Sequence, residues 1–158
     1  MSDDALRADV LGRLRVAIAS DRLIGAARTQ AAEMLQRLQN GVSLVVAGPK
    51  ESGKSDLCGL LLQSFLMPAP PEAIAVRFTG NQRFDPPACE ETPEGDVPTR
   101  CLPAALLAEV QLTDVAGSAD ATEQARRLRW AFGRADMVLW CSTDFTPQDA
   151  ALWADVPE

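Results

Sequence analysis

Eight consecutive residues, Gly48-Pro49-Lys50-Glu51-Ser52-Gly53-Lys54-Ser55, constrain this chain more than any others. They follow a short β-branched run, VSLVVA at 42–47, and open a stretch, 55–65, that carries Leu57, Leu60, Leu61, Leu62 and Phe65. The run suits a strand buried on both faces, and the stretch suits a helix with a wide apolar face. The eight residues match GxxxxGK[ST] at every required position. Each residue type has a physical reason. Glycines let the backbone curl so that successive N–H groups point inward at an anion. The helix that follows adds unpaired donors and a favourable dipole. In such a loop the lysine, Lys54, reaches the β- and γ-phosphates, and the hydroxyl of Ser55 ligates Mg²⁺. The expected nucleotide-binding segment is therefore Gly48, Pro49, Lys50, Glu51, Ser52, Gly53, Lys54, Ser55 and Asp56.

The rest of the chain alternates. Residues 3–40 read as helix, with Leu6, Val10, Leu11, Leu14, Ala17 and Ile18 on one face. Ser20-Asp21 offers an N-cap for a second half bearing Ile24, Ala27, Ala31, Met34, Leu35 and Leu38, and Asn40-Gly41 a stop. Arg7, Arg13, Arg15, Arg22, Arg28 and Arg37 stud this arm as a solvated face, or as part of a face that packs on a partner. Residues 73–78 (AIAVRF) read as a second strand. Residues 80–100 carry Pro86, Pro87, Pro93 and Pro98 and read as a long loop. Its Glu90, Glu91, Glu94 and Asp96 suit a solvated acidic stretch better than a metal cluster. Residues 102–108 suggest a short helix, and 109–113 a strand ending at Asp114. Residues 122–134 form a helix with Ala125, Leu128, Ala131 and Phe132 on one side and Arg126, Arg127 and Arg129 on the other. A buried strand follows at 137–141. Thr146-Pro147-Gln148-Asp149 then opens a last helix, with Thr as N-cap and Pro at the first helical position. Strands alternating with helices imply an α/β architecture with right-handed crossovers. The expectation is a three-layer P-loop NTPase fold with a mostly parallel sheet over residues 42–158, preceded by an N-terminal helical arm over 1–41.

Composition excludes much chemistry. There is no His and no Tyr, so histidine general bases, Ser-His pairs and His-bearing zinc sites are impossible. The only lysines are Lys50 and Lys54. With 15 Lys+Arg against 22 Asp+Glu, the net charge of −7 opposes broad phosphate neutralisation along a nucleic acid. Cys58, Cys89, Cys101 and Cys141 lack CxxC spacing and read as buried reduced thiols. The acidic start, MSDDALRADV, has no apolar core of a signal peptide. No run approaches the roughly 20 apolar residues that span a bilayer. The expected location is the cytoplasm.

A second phosphate-side element lies at Asp114-Val115-Ala116-Gly117, which fits DxxG at a strand end. Taken together, strand–GPKESGKS–helix, then QLTDVAGS, then a helix and ADMVLWCSTDFTPQDAALWADVP, resemble the first half of a GTPase domain. The resemblance is greatest to bacterial dynamin-like large GTPases, which carry a helical segment before the first strand. It implies that Lys54 and Ser55 contact the β/γ-phosphates and Mg²⁺. It implies that Asp114 holds Mg²⁺ through water and that the Gly117 N–H senses the γ-phosphate. Catalysis by Lys54, Ser55, Asp114 and Gly117 would then be positioning and charge stabilisation. The resemblance also implies self-association through the nucleotide face or work at a membrane surface, although no basic amphipathic stretch stands out.

The chain departs from the family pattern at named positions. Residues 67–72 (MPAPPE) contain no switch Thr, and Thr79 and Thr92 are off register. The guanine-reading [NT]KxD motif is absent, since no Lys follows Lys54. Ser118 stands where Ras-like enzymes have a water-orienting Gln, and Glu51 where dynamins have a Ser. A G domain ending here implies a piece of a longer protein, a partner chain that completes the sheet, or a reduced relative. Two alternatives stay open: an inactive pseudo-GTPase serving as an interaction module, and a P-loop kinase using Arg126, Arg127 and Arg129 as a lid.

Overall fold

A computed structural model describes residues 3–20, 23–80, 89–93 and 95–154. Asp21, Arg22, residues 81–88 with Pro86 and Pro87, and Glu94 lie outside the described residues, as do the side chains of Arg37 and Gln148. The chain divides into two compact units, 1–42 and 43–158.

The first unit is a pair of helices, α1 (Asp3–Ala19) and α2 (Ala26–Asn40). Leu11, Leu14, Ala17 and Ile18 of α1 and Ala31, Leu35 and Leu38 of α2 are half-buried, whereas Leu6, Val10, Ile24 and Met34 are exposed. The Arg7 guanidinium donates to the Leu38 carbonyl at 2.7 Å, tying the two helices. The break differs from expectation. Ser20 Oγ donates back to the Ala17 carbonyl at 2.9 Å, so Ser20 closes α1 rather than capping α2. Gly25, at φ +57°, is the residue before α2.

Among the described residues the second unit has a six-stranded mixed sheet in the order β3-β4-β2-β5-β1-β6, with helices on both faces. The strands are β1 (Val42–Ala47), β2 (Ala75–Thr79), β3 (Cys89–Thr92), β4 (Gly95–Cys101), β5 (Val110–Val115) and β6 (Met137–Trp140). The helices are α3 (Lys54–Leu62), a 3₁₀ turn at Ala105–Ala108, α4 (Ala121–Phe132) and α5 (Pro147–Trp153). Side chains of β1 alternate between two cores. Val45 and Ala47 meet Leu128, Ala131 and Phe132 of α4. Leu44 and Val46 meet Cys58 and Leu62 of α3. That alternation is the three-layer α/β arrangement expected of a strand apolar on both faces.

Three local expectations are corrected. The stretch 80–100 is not one long loop: β3 and β4 form an antiparallel hairpin, with Cys89 opposite Pro98 and Thr92 opposite Gly95. Glu90, within the expected acidic stretch, pairs with Arg77 of β2 at 2.7 Å. Secondly, α3 ends at Leu62, earlier than expected. Gln63 adopts φ +50° and the Ser64 N–H bonds the Gly59 carbonyl at 3.0 Å, which closes the helix and leaves Phe65 exposed. Thirdly, only Cys58 of the four free thiols is buried; Cys89 and Cys101 are exposed.

β2 runs parallel to β4 but antiparallel to β5, so the sheet is mixed around β2. β1 and β6 are parallel. The expected cap of α5 forms in full: Thr146 and Asp149 exchange both capping-box bonds behind Pro147.

Candidate nucleotide site

The site grows from the end of β1. Gly48 leaves the strand at φ +147°, and a Cβ there would lie 2.0 Å from the Cys141 carbonyl oxygen. Only glycine lets the loop pass beneath the end of β6. The loop then rises to Glu51, whose φ of +65° is rare for a residue with a side chain. Gly53, in left-handed conformation, turns the chain into α3.

Lys54 is the first residue of α3 and is only 6% exposed. Its ammonium group folds back over its own loop, donating to the Pro49 carbonyl and approaching Ser52 Oγ at 3.5 Å. Burial lowers its pKa, and the nearby Asp114 charge opposes that shift. Ser55 Oγ donates to Asp114 Oδ2 at 2.7 Å. That bond joins the helix after β1 to the end of β5, so both strands deliver their chemistry to one end of the sheet. Such an end is where ligands bind in α/β sheets. Asp114 Oδ1 is buried and has no hydrogen-bond partner among the described residues. Burial raises the Asp114 pKa, and the Ser55 bond and the Lys54 charge oppose the shift.

A cation and a carboxylate, both desolvated and facing one loop, are arranged to receive a charged ligand. The donor set also suits Mg²⁺. A hydroxyl and a carboxylate are hard oxygen ligands, and the orphaned Asp114 oxygen lacks the partner that a hydrated cation would supply. Among the described residues no three His, Cys, Asp or Glu side chains cluster as a self-sufficient metal centre.

The other expected residues are placed as follows. Lys50 and Glu51 are exposed, with their charged groups 3.9 Å apart. Asp56 is exposed in the first turn of α3. Gly117 lies against the loop itself: a Cβ on it would fall 2.6 Å from Lys50 Cα. Thr79 and Thr92 do not reach the site. Thr79 shares a hydrogen bond with Cys101 Sγ at 3.5 Å, and Thr92 Oγ1 bonds the Gly95 carbonyl at 2.7 Å. Arg126 and Arg127 both pair with Glu123, at 2.7 and 2.9 Å, and Arg127 also bonds the Ala116 carbonyl at 3.2 Å. Arg127 therefore ties α4 to the DVAG turn.

Sequence reasoning missed Gln124. It is 4% exposed, donates to the Gly48 carbonyl at 3.4 Å and accepts from the Ser118 N–H at 2.6 Å. Its signal was a polar residue four positions before Leu128, on the apolar face of α4. A cavity of about 350 Å³ adjoins it, lined by Pro49, Lys50, Ser118, Ser142 and Thr143.

No family model and no curated protein matches the chain. Solved structures do. Two of them belong to work on an oligomerised bacterial dynamin pair, described as providing a mechanism for the long-range sensing and tethering of membranes. One aligns with a TM-score of 0.61 at 15% identity, covering 99% of this chain and 29% of that one. The other aligns with a TM-score of 0.56 at 18% identity, covering 82% and 25%. The chain thus spans between a quarter and three-tenths of the length of the chains it matches. The mixed sheet, the strand–loop–helix of 42–62 and these alignments agree: the chain has the fold of a dynamin-like GTPase domain.

Proposed function

We propose that the chain binds a nucleoside triphosphate, GTP in preference to ATP, and hydrolyses it as a GTPase of dynamin type. The observation that carries the binding is the convergence of Lys54, Ser55 and Asp114 on one loop. The loop amides and Lys54 would hold the β- and γ-phosphates; Lys54 would exchange the Pro49 carbonyl for phosphate oxygens, regaining charged partners for a buried ammonium. Ser55 and Asp114 would hold Mg²⁺, which neutralises charge developing on the phosphoryl oxygens. Gly117 would present its N–H toward the γ-phosphate from its place over Lys50. The preference for GTP and the hydrolysis rest on the fold likeness. So does self-association, since the matched structures are described as an oligomerised pair.

Titration of the purified chain with fluorescent GTP and ATP in the presence of Mg²⁺ tests this reading, alongside Lys54→Ala. GTP should bind more tightly than ATP, and Lys54→Ala should weaken both at least tenfold. Equal affinity for the unaltered and Lys54→Ala chains would sink the assignment.

One observation favours a second reading, an inactive module that binds without turning over. The Arg100 guanidinium bonds the carbonyls of Met67 and Pro68, pinning the stretch between α3 and β2 that lacks a switch Thr. A phosphate-release assay separates the two. Turnover lost in Lys54→Ala supports the enzyme, and binding without phosphate release supports the module.

A further inference from the structure

Gln124 is a carboxamide on the inner face of α4, beside Leu128 and Ala131 of the core. A buried polar group left unpaired costs roughly 1–3 kcal/mol, so Gln124 must satisfy its donors and acceptor locally. It does so across two loops that are distant in sequence. Oε1 accepts from the Ser118 N–H at 2.6 Å, and Nε2 donates to the Gly48 carbonyl at 3.4 Å. Gly48 is the first residue of the phosphate loop. Ser118 directly follows Gly117, whose Cα packs on the backbone of Lys50, the third residue of that loop. The residue before, Ala116, is held separately: its N–H bonds the Ile74 carbonyl at 2.9 Å and its carbonyl accepts from Arg127 at 3.2 Å. The Gly117–Ser118 turn is therefore braced from behind by Ile74, just before β2, and by Arg127 of α4, and Gln124 links its far side to the loop.

We propose that Gln124 is a positioning residue that sets the Gly117–Ser118 turn at a fixed height over the phosphate loop and so favours a triphosphate over a diphosphate. The proposal rests on the nucleotide reading above. Lys54 and the loop amides serve any nucleotide with a β-phosphate. On that reading a γ-phosphate would extend toward the turn over Lys50, and a diphosphate would stop short of it. With the turn already ordered by the Gln124 bridge, a triphosphate binds without the cost of ordering it. Without the bridge that cost falls on the triphosphate and spares the diphosphate.

The test compares the unaltered chain with Gln124→Met, which keeps the shape and removes both hydrogen bonds. Two readouts are needed. Amide hydrogen exchange at Ser118 in the nucleotide-free chain reads the bridge by itself. Titration with GDP and with a non-hydrolysable GTP analogue, each with Mg²⁺, reads its use. Gln124→Met should free the Ser118 amide, leave GDP affinity within about twofold, and weaken the triphosphate analogue by about fivefold, the loss expected for one neutral hydrogen bond. Gln124→Glu, which keeps the acceptor oxygen, should retain Ser118 protection and covers the case in which Gln124→Met fails to fold. Unchanged Ser118 exchange in Gln124→Met would overturn the bridge. An equal loss for GDP and analogue would overturn the positioning role in favour of a structural one, and unchanged affinity for both would overturn it too. Binding of neither nucleotide by an unaltered chain with a protected Ser118 amide would overturn the nucleotide reading, and this use of the bridge with it.

Discussion

Replacing Asp114 by Asn should change stability and binding in opposite directions. In the nucleotide-free chain the Asp114 carboxylate is desolvated, and Oδ1 has no partner among the described residues. An unpaired buried polar atom costs roughly 1–3 kcal/mol, and more when it is charged. Asn removes the charge and keeps an oxygen for the Ser55 hydroxyl, but it forfeits the attraction of Lys54. The net expectation is a gain of about 1 kcal/mol, or a melting temperature about 2–4 °C higher for a chain of 158 residues. The gain has a pH signature. Burial raises the folded-state pKa of Asp114, so its cost is fully present above that pKa and absent below the unfolded value of about 3.9. The advantage of Asp114→Asn should therefore fade as the pH falls through the folded pKa. Ligand reverses the order. At a GTP concentration of about 100 times its Kd, Mg²⁺·GTP stabilises the unaltered chain by about 2.7 kcal/mol. If Asp114→Asn binds about tenfold more weakly, the same concentration yields only about 1.4 kcal/mol. Thermal unfolding by circular dichroism, with and without Mg²⁺·GTP, should show the variant ahead alone and level or behind with ligand. A variant that melts lower without ligand and gains the full ligand shift would refute the reasoning.

Three further outcomes follow from the same geometry. Gly48→Ala forces a Cβ into the Cys141 carbonyl and should cost about 3 kcal/mol or more, lowering the melting temperature by at least about 6 °C. Thr146→Ala should cost about 1 kcal/mol through loss of the α5 cap, read by denaturant unfolding. The Thr146 hydroxyl is also the main cause of the lowered Asp149 pKa, so NMR titration should show that carboxyl moving up in the variant. In the unaltered chain the Asp149 contribution is present above its unfolded pKa and is lost as the pH falls through its folded one. Finally, Cys89 and Cys101 should be alkylated rapidly in the native chain, whereas Cys58, buried and with its thiol pKa pushed up, should react only on unfolding; mass spectrometry after timed labelling resolves them.

The parts of the fold legible in the sequence are those coded by short-range patterns. VSLVVA is apolar at every second position on both faces save Ser43, and that is how β1 fills two cores. The capping box at Thr146 and Asp149 is local chemistry, and it formed as written. The hairpin of β3 and β4 is local, but what fixes it as strand is the non-local pairing of β4 with β2. Pro98 and the acidic residues look like loop, yet Glu90 is retained beside Arg77, and the parallel register of Thr99 and Arg100 with Arg77 and Phe78 extends the sheet. The early end of α3 was hidden because Gln63 takes a left-handed conformation that composition does not mark. At the site, the residues from Gly48 to Ser55 were legible as a motif, and Asp114 from its place at a strand end. That Ser55 bonds Asp114, that Gly117 rests on Lys50, and that Gln124 joins the two loops depend on tertiary packing alone.

The most direct test is a crystal structure of the chain grown with Mg²⁺ and a non-hydrolysable GTP analogue. The account predicts the β-phosphate cradled by the backbone N–H groups of residues 50–55, with the Lys54 ammonium moved from the Pro49 carbonyl onto phosphate oxygens. It also predicts a cation beside Ser55 and Asp114. An analogue bound elsewhere, with Lys54 still turned onto its own loop, would contradict it.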